Sequence, residues 1–123
     1  KILTNEPADI YANPTYLPDD MQADYDRYWT DARVDRVLDV LERYGIALEI
    51  NARYRIPSFG IIRRAKQRGI KFTFGTNNVD ADFGRLEYSL EAVEKCGLTA
   101  DDIWFPAMSV RRGRPVVLYN KFE

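Results

Sequence analysis

The stretch IALEIN at residues 46–51 is a short, mostly apolar run that carries a glutamate and ends in an asparagine. Its length and composition predict a β-strand that is covered on both faces. Two similar passages lie on either side of it, DIYANP at residues 9–14 and FTFGTNN at residues 72–78. Each apolar run leads to an asparagine and precedes a helical pattern. We therefore predict an α/β fold of parallel β/α units, in which the strands' carboxyl ends share one edge of the sheet.

Capping residues mark the predicted helices between these strands. Thr30 and Ser58 suit the N-cap position, and Gly45 and Gly97 suit the position just after a helix. Apolar residues at helical spacing predict the inner faces of the three helices. These residues are Val34, Val37, Leu38 and Leu41, then Ile61, Ile62 and Ala65, and last Leu86, Leu90 and Val93.

The last part of the chain predicts shorter elements. Residues 99–102 resemble a capping box that begins one more turn. Residues 103–105 predict a fourth strand, and residues 116–119 a final extended piece.

Composition limits the function classes. The 123 residues fit one domain or part of one. Lys and Arg number 18 and Asp and Glu number 19, which argues against a nucleic-acid or membrane-surface partner attracted by bulk charge. No apolar run approaches the roughly 20 residues of a membrane span. The single cysteine, Cys96, excludes an internal disulfide and favours a reducing, cytoplasmic compartment; we interpret it as an apolar filler.

Three local patterns carry a resemblance to a known family. They are DIYANPT at residues 9–15, LEIN at residues 48–51 and GTNNV at residues 75–79. In order and spacing they resemble the PHP family, the polymerase and histidinol phosphatase domain, whose motifs read D-I-x-x-H-P-T, L-E-I-N and G-S-D-x-H. The resemblance covers residues 2 to about 104. It implies the C-terminal half of a distorted seven-stranded β/α (TIM-like) barrel, with residues 1–123 as a single portion cut from a longer parent.

The same resemblance implies metal-dependent phosphoesterase activity in the parent, yet the ligand positions of this half are substituted. Asn13 and Val79 stand where the family has histidine, and Asn77 stands where it has aspartate. Neutral asparagine is a poor ligand for transition metals and valine is none. We therefore expect no metal to be bound by this segment. Zinc, manganese or iron would be held in the full-length parent by upstream residues.

Polar residues at the strand ends are the candidate site. Glu49 and Asn51 are two residues apart on a strand and so point to the same side of the sheet. Glu49 is the candidate catalytic base; the alternative is an internal ion pair with Arg53 or Arg55. The remaining strand-end residues are candidates for substrate binding, or for turns and helix caps. The substrate-binding candidates are Asn13, Asn51, Arg53, Asn77, Asn78 and Asp80, with Asp82 in the same loop.

Aromatic residues are dense between the first strand and the first long helix. They are Tyr11, Tyr16, Tyr25, Tyr28 and Trp29. They would stack a sugar or base, form a lid, or pack the long connection onto the sheet. Arg53 and Arg55 present guanidinium forks that suit phosphate or carboxylate groups, or they form surface ion pairs.

Two hypotheses about function follow. In the first, the chain is part of a PHP-like hydrolase whose partner is a polar small molecule, phosphorylated in the family's manner, and this chain alone is inactive. In the second, the chain is a non-catalytic binding module, a pseudoenzyme that kept the scaffold and lost the metals. Half a barrel would leave sheet edges and apolar helix faces exposed, so we expect a homodimer.

Overall fold

A computed structural model describes residues 2–5, 7–81 and 83–106. Its strands are β1 (Ile10–Tyr11), β2 (Ala47–Asn51) and β3 (Phe72–Gly75). Its α-helices are α1 (Ile2–Asn5), α2 (Tyr25–Tyr28), α3 (Asp31–Tyr44), α4 (Phe59–Gln67) and α5 (Glu87–Cys96), with 3-10 turns at Asp19–Asp24 and Ala100–Asp102. None of these helices is long and apolar enough to cross a membrane. The extended piece predicted at residues 116–119 lies outside the described residues.

The strands form one parallel sheet in the order β1-β2-β3. Leu48 of β2 pairs with Tyr11 of β1 on one side and with Phe72 of β3 on the other. Because α3 and α4 provide the connections between successive strands, all three strands point the same way. The carboxyl ends of the strands therefore share one edge, as the sequence predicts.

The predicted fold class, half of a seven-stranded barrel, is wrong for this structure. The described residues form five α-helices and an open sheet of three strands. A barrel needs a continuous ladder of tilted strands that returns to the first. Here β1 pairs over only two residues, and the predicted fourth strand is reduced to a parallel bridge between Ile103 and Phe72. The expected homodimer, which was argued from the half barrel, stays a prediction.

The core lies between one face of the sheet and the long helices. Leu48, Ile50 and Phe72 are buried, and Leu38 and Leu41 of α3 belong to the same apolar cluster. Burial of this kind of side chain stabilises the fold by about 1.5–3 kcal/mol each. The alternate residues of β2 point to the other face of the sheet, where the polar side chains of the candidate site begin.

Capping residues position the helices as predicted. Ser58 accepts a hydrogen bond from the backbone N–H of Ile61 through its hydroxyl and so begins α4. Thr30 holds the extended conformation of an N-cap before α3. Gly45 and Gly97 follow α3 and α5 with φ of 65° and 63°, a left-handed conformation that costs glycine nothing.

The inner face predicted for α5 is wrong at two of its three residues, since only Val93 packs against the core. Leu90 is 66% exposed, and Leu86 lies before the first helical residue. The side chains that face the core are Tyr88, Ser89, Ala92 and Cys96. The buried stripe of α5 therefore consists of Tyr88, Ala92 and Cys96 at positions i, i+4 and i+8, with Ser89 beside them. The positions of the leucines did not indicate the inner face.

Candidate functional site

A hydrogen-bonded cluster joins the ends of β1 and β2. The carboxylate of Glu49 accepts a hydrogen bond from the backbone N–H of Asn13, with 2.5 Å between nitrogen and Oε2. The Asn51 amide donates to Asn13 Oδ1 at 2.9 Å and reaches Glu49 Oε2 at 3.4 Å. Glu49, Asn13 and Asn51, which we call the strand-end cluster, thus hold the first two loops together.

Asn51 fixes the course of the loop after β2. Its side chain is fully buried, and its Oδ1 accepts a hydrogen bond from the backbone N–H of Tyr54 at 3.0 Å. Its own backbone exchanges hydrogen bonds with Ile56, at 2.7 Å and 3.2 Å. Asn51 therefore provides hydrogen-bond partners both for polar groups at the strand ends and for the backbone of the loop that folds back over β2, and its own buried amide is fully hydrogen-bonded, as buried polar groups require.

The third strand gives Glu49 the space it occupies. Gly75 pairs with Asn51 in the β2–β3 ladder. A Cβ atom at Gly75 would lie 1.8 Å from Glu49 Oε1 and 2.6 Å from its Cδ. Any larger residue at position 75 would displace the carboxylate, so the glycine is required by this close approach rather than by its own backbone angles.

Strained backbone is concentrated at this edge. Among the described residues, four non-glycine residues have positive φ: Asn13, Thr15, Arg55 and Asn77. All four follow the carboxyl end of a strand. Asparagine adopts the left-handed conformation readily, whereas for Arg55 and for the β-branched Thr15 it costs about 1–2 kcal/mol. Strain of this kind persists only where surrounding contacts enforce it, and it occurs preferentially at functional sites.

The loop after β3 is tied to the loop after β2 by an ion pair. Arg53 donates to Asp80 at 2.9 Å, and this contact raises the pKa of the guanidinium. Asn78 accepts a hydrogen bond from the backbone N–H of Gly84. Asn77 is half-buried with a φ of 50°. Asp82 lies outside the described residues.

A cleft of about 210 Å³ opens between the loop after β1 and the loop after β2. Its walls combine aromatic, aliphatic and hydroxyl-bearing side chains. The lining residues are Thr15, Tyr16, Leu17, Gln22, Tyr25, Tyr54, Arg55, Ile56 and Ser58. The volume lies below the 300–1,000 Å³ that is typical of pockets for drug-sized ligands, so the cleft matches a small compound.

Thr15 is the buried centre of one wall of this cleft. Its hydroxyl lies 2.6 Å from the hydroxyl of Tyr25, and its carbonyl accepts a hydrogen bond from Trp29 Nε1 at 3.0 Å. The Tyr25 hydroxyl also accepts from the backbone N–H of Ser58 at 3.3 Å. Burial raises the pKa of Tyr25, and the hydrogen bond with Thr15 opposes this only in part. These contacts enforce the left-handed conformation of Thr15.

Arg55 and the tyrosines form the other wall. Rings of Tyr16 and Tyr54 meet edge to face, with 4.8 Å between their centroids. The guanidinium of Arg55 lies 4.8 Å from the centroid of the Tyr88 ring and 3.2 Å from a carboxylate oxygen of Glu91. Glu49 is therefore not the ion-pair partner that the sequence left open for Arg55.

The site residues predicted from the sequence lie close to the cleft but do not line it. The strand-end cluster joins the starts of the two loops, and Arg53 pairs with Asp80, but none of the seven predicted site residues lines the cleft. The aromatic segment before α3 and Arg55 were the signals that pointed toward it. Tyr54 gave no signal, because nothing in its sequence surroundings separates a cleft residue from ordinary packing.

The described residues do not fit the metal centre that the family resemblance implies. They contain no group of three or more His, Cys, Asp or Glu side chains that could hold a metal ion. Asn13 Oδ1 already accepts the Asn51 amide, and Val79 is 67% exposed and has no donor atom.

Comparisons of the chain with family models, curated proteins and solved structures find no match.

Proposed function

We propose that this chain binds a small polar organic molecule in the cleft at the carboxyl edge of the sheet. The observation that carries the proposal is where the strain lies. The four left-handed non-glycine residues of the described chain all lie on the strand-end loops, and two of them, Thr15 and Arg55, line the cleft. Strained residues at one edge, around a cavity, indicate a surface that is shaped for a ligand rather than for stability alone.

The strand-end cluster connects the two loops that form the walls of this cleft. Asn13 and Asn51 begin the two loops that form the cleft walls, and Glu49 connects them through its carboxylate. A binding site needs such supporting hydrogen bonds, since loops otherwise drift from the productive geometry. In this proposal Glu49, Asn13 and Asn51 are positioning residues, and the contacts to the ligand come from the cleft lining.

The lining suits a compound with both apolar and polar surface. Tyr16, Tyr25 and Tyr54 offer flat rings that lose little conformational entropy on binding, together with hydroxyl groups. Leu17 and Ile56 add aliphatic surface. A few polar groups among apolar walls is the usual composition of small-molecule sites.

The test is a screen by ligand-observed NMR with a fragment set of ring-bearing acids, alcohols, amines and sugar phosphates. Hits should lose binding in Tyr54→Ala, which removes a cleft wall, and keep it in Tyr44→Ala. Tyr44 is the matched control because it is an exposed tyrosine at the end of α3, outside the cleft. The proposal fails if no fragment binds at millimolar concentration, or if both variants affect binding equally.

Hydrolysis is the second candidate function, and one observation favours it. The Glu49 carboxylate is held in place at a strand end by two donors, which is the kind of fixed geometry that a general base requires. A panel of phosphoesters and sugar phosphates would test it. Turnover that Glu49→Gln abolishes while the variant stays folded would support catalysis. No turnover on any substrate would contradict catalysis by this chain and leave ligand binding as the proposed function.

We also propose a cytoplasmic location, which the single cysteine favours because one free thiol suits a reducing compartment.

A further inference from the structure

We infer that the ligand of this cleft is a small ring-bearing carboxylate, whose acid group pairs with Arg55 while its ring packs on the tyrosines. The inference rests on the proposed function, since it assigns a ligand class to the same cleft. Three features support it: the charge of the lining, the present partner of Arg55, and the arrangement of the rings.

The charge of the lining favours an acid. Of the nine described residues that line the cleft, Arg55 is the one with a formal charge at neutral pH. The others are hydroxyl, amide or apolar side chains. Once its ion pair with Glu91 opens, the Arg55 guanidinium gives the cleft one positive charge, and the cleft then prefers a carboxylate to a neutral compound or an amine of the same shape.

Arg55 already holds a carboxylate that a ligand can replace. Its guanidinium contacts Glu91 at 3.2 Å, and the two side chains are 56% and 38% exposed. A pair so open to solvent contributes little to stability, so exchanging Glu91 for the acid group of a ligand costs little. The centroid of the Tyr88 ring lies 4.8 Å from the guanidinium carbon, and the ring packs against it at the place where the acid group of the ligand would replace Glu91.

The ring of the ligand has aromatic surface to meet. Tyr16 and Tyr54 stand edge to face, and such pairs accept a further ring in stacked or edge-on contact. Leu17 and Ile56 close the same cavity with aliphatic surface. A single six-membered ring with one acid group fits a cavity of about 210 Å³.

A charge series on one ring tests the inference directly. Benzoate, benzyl alcohol and benzylamine share a ring and differ in charge, and each is titrated into the full chain while backbone amides are followed by NMR. We expect benzoate to bind about tenfold more tightly than benzyl alcohol, and benzylamine to bind most weakly. Phenyl phosphate is added as a second anion, and tighter binding of phenyl phosphate than of benzoate would overturn the carboxylate assignment.

Arg55→Gln should reduce the preference for benzoate over benzyl alcohol to about twofold or less. Arg55→Lys should keep part of it, because the charge remains while the planar fork is lost. Arg36→Gln is the matched control; it removes an exposed arginine of α3, outside the cleft, and should leave the preference unchanged. A preference that survives Arg55→Gln would overturn the role of Arg55.

The outcomes separate the two proposals. If none of the compounds shifts the amides of the cleft, both the ligand class and the proposed binding function fail. If benzyl alcohol binds as tightly as benzoate and Tyr54→Ala weakens both, the binding function stands and the carboxylate assignment fails.

Discussion

The α3–α4 interface and the carboxyl edge of the sheet both use charged and polar residues, but in opposite ways. Between the two helices, Arg64 donates to Asp31 at 2.7 Å and to Asp35 at 2.5 Å, and Arg68 pairs with Asp35 and Asp39. These contacts lie on regular helices without positive φ. At the carboxyl edge, Asn51 and Thr15 are buried, and hydrogen bonds join them to loops that contain left-handed residues.

The two regions differ in the backbone conformations that accompany their polar contacts. An exposed ion-pair network between regular helices costs no backbone strain and pins two elements together. The strand-end loops instead accept strained conformations at Thr15 and Arg55, which a fold selected only for stability would avoid. Strained backbone that is retained around a cleft is the feature that distinguishes the candidate binding site from the rest of the protein surface.

The largest expected effect comes from removing the buried amide at the edge. Asn51→Ala leaves the Tyr54 N–H and Asn13 Oδ1 without their partner and removes one of the two donors to Glu49, so we expect the unfolding free energy to fall by about 3 kcal/mol. Urea unfolding measures it. Asn78→Ala is the control, since Asn78 is exposed and accepts one backbone bond, and it should cost at most about 1 kcal/mol. Equal losses would contradict a special role for the strand-end cluster.

The next effect tests the contact between the third strand and Glu49. Gly75→Ala forces the carboxylate away and should cost about 1–2 kcal/mol in urea unfolding. In a Glu49→Ala background the same change should cost much less, because the clash and the displaced hydrogen bonds are gone. If the cost is the same in both backgrounds, the Glu49 contact does not explain the glycine.

The ionisation of Tyr25 should make the stability of the protein depend on pH. Burial raises the pKa of Tyr25 above its usual value of 10.0, so the folded state favours the neutral phenol. Its contribution to stability is full below that value and is lost as the pH rises through the folded pKa. Tyr25→Phe should cost about 1 kcal/mol near neutral pH and should lose less stability than the wild type as the pH rises above about 10. Parallel losses in the two proteins, measured by urea unfolding, would contradict this.

The helix interface should respond more weakly and through salt. Arg68, with a side chain 26% exposed, contacts Asp35, Asp39 and Glu42. Arg68→Ala should cost about 1 kcal/mol at low salt and clearly less at about 1 M salt, where charge interactions are screened. A loss that does not depend on salt would show that Arg68 acts through packing.

The smallest expected effect tests whether the backbone of Arg55 is strained. Arg55→Gly relieves a left-handed residue, so the melting temperature should stay level or rise, by the equivalent of up to about 1 kcal/mol. Arg36→Gly, in the regular helix α3, should instead destabilise by about 1 kcal/mol. If both glycines destabilise alike, Arg55 is not strained in solution.

The sequence was a good guide to local structure. The asparagine that ends β2 and the caps Thr30 and Ser58 lie where they were predicted, because such features depend on a few neighbouring residues. The barrel architecture was predicted wrongly from motif resemblance, since strand-like motifs do not specify how many strands pair. The inner face of α5 failed for a similar reason, as Tyr88 rather than Leu90 meets Phe59 across the core, with 5.0 Å between ring centroids.

The candidate site was predicted in part. Asn13, Glu49 and Asn51 do meet at the strand ends, since parallel strands bring their carboxyl ends together. The cleft was not predicted, because its walls depend on positive φ at residues such as Thr15 and Arg55. Local sequence favours other conformations for these residues, and only tertiary contacts select the observed one.

The most direct measurement is a backbone NMR map of the full chain titrated with benzoate. We predict amide shifts concentrated at Thr15, Tyr16, Tyr54 and Ser58, with the strand-end loop of residues 77–80 unchanged. Shifts concentrated at residues 77–80, or no saturable shifts, would contradict the claim that the carboxyl-edge cleft is the binding site.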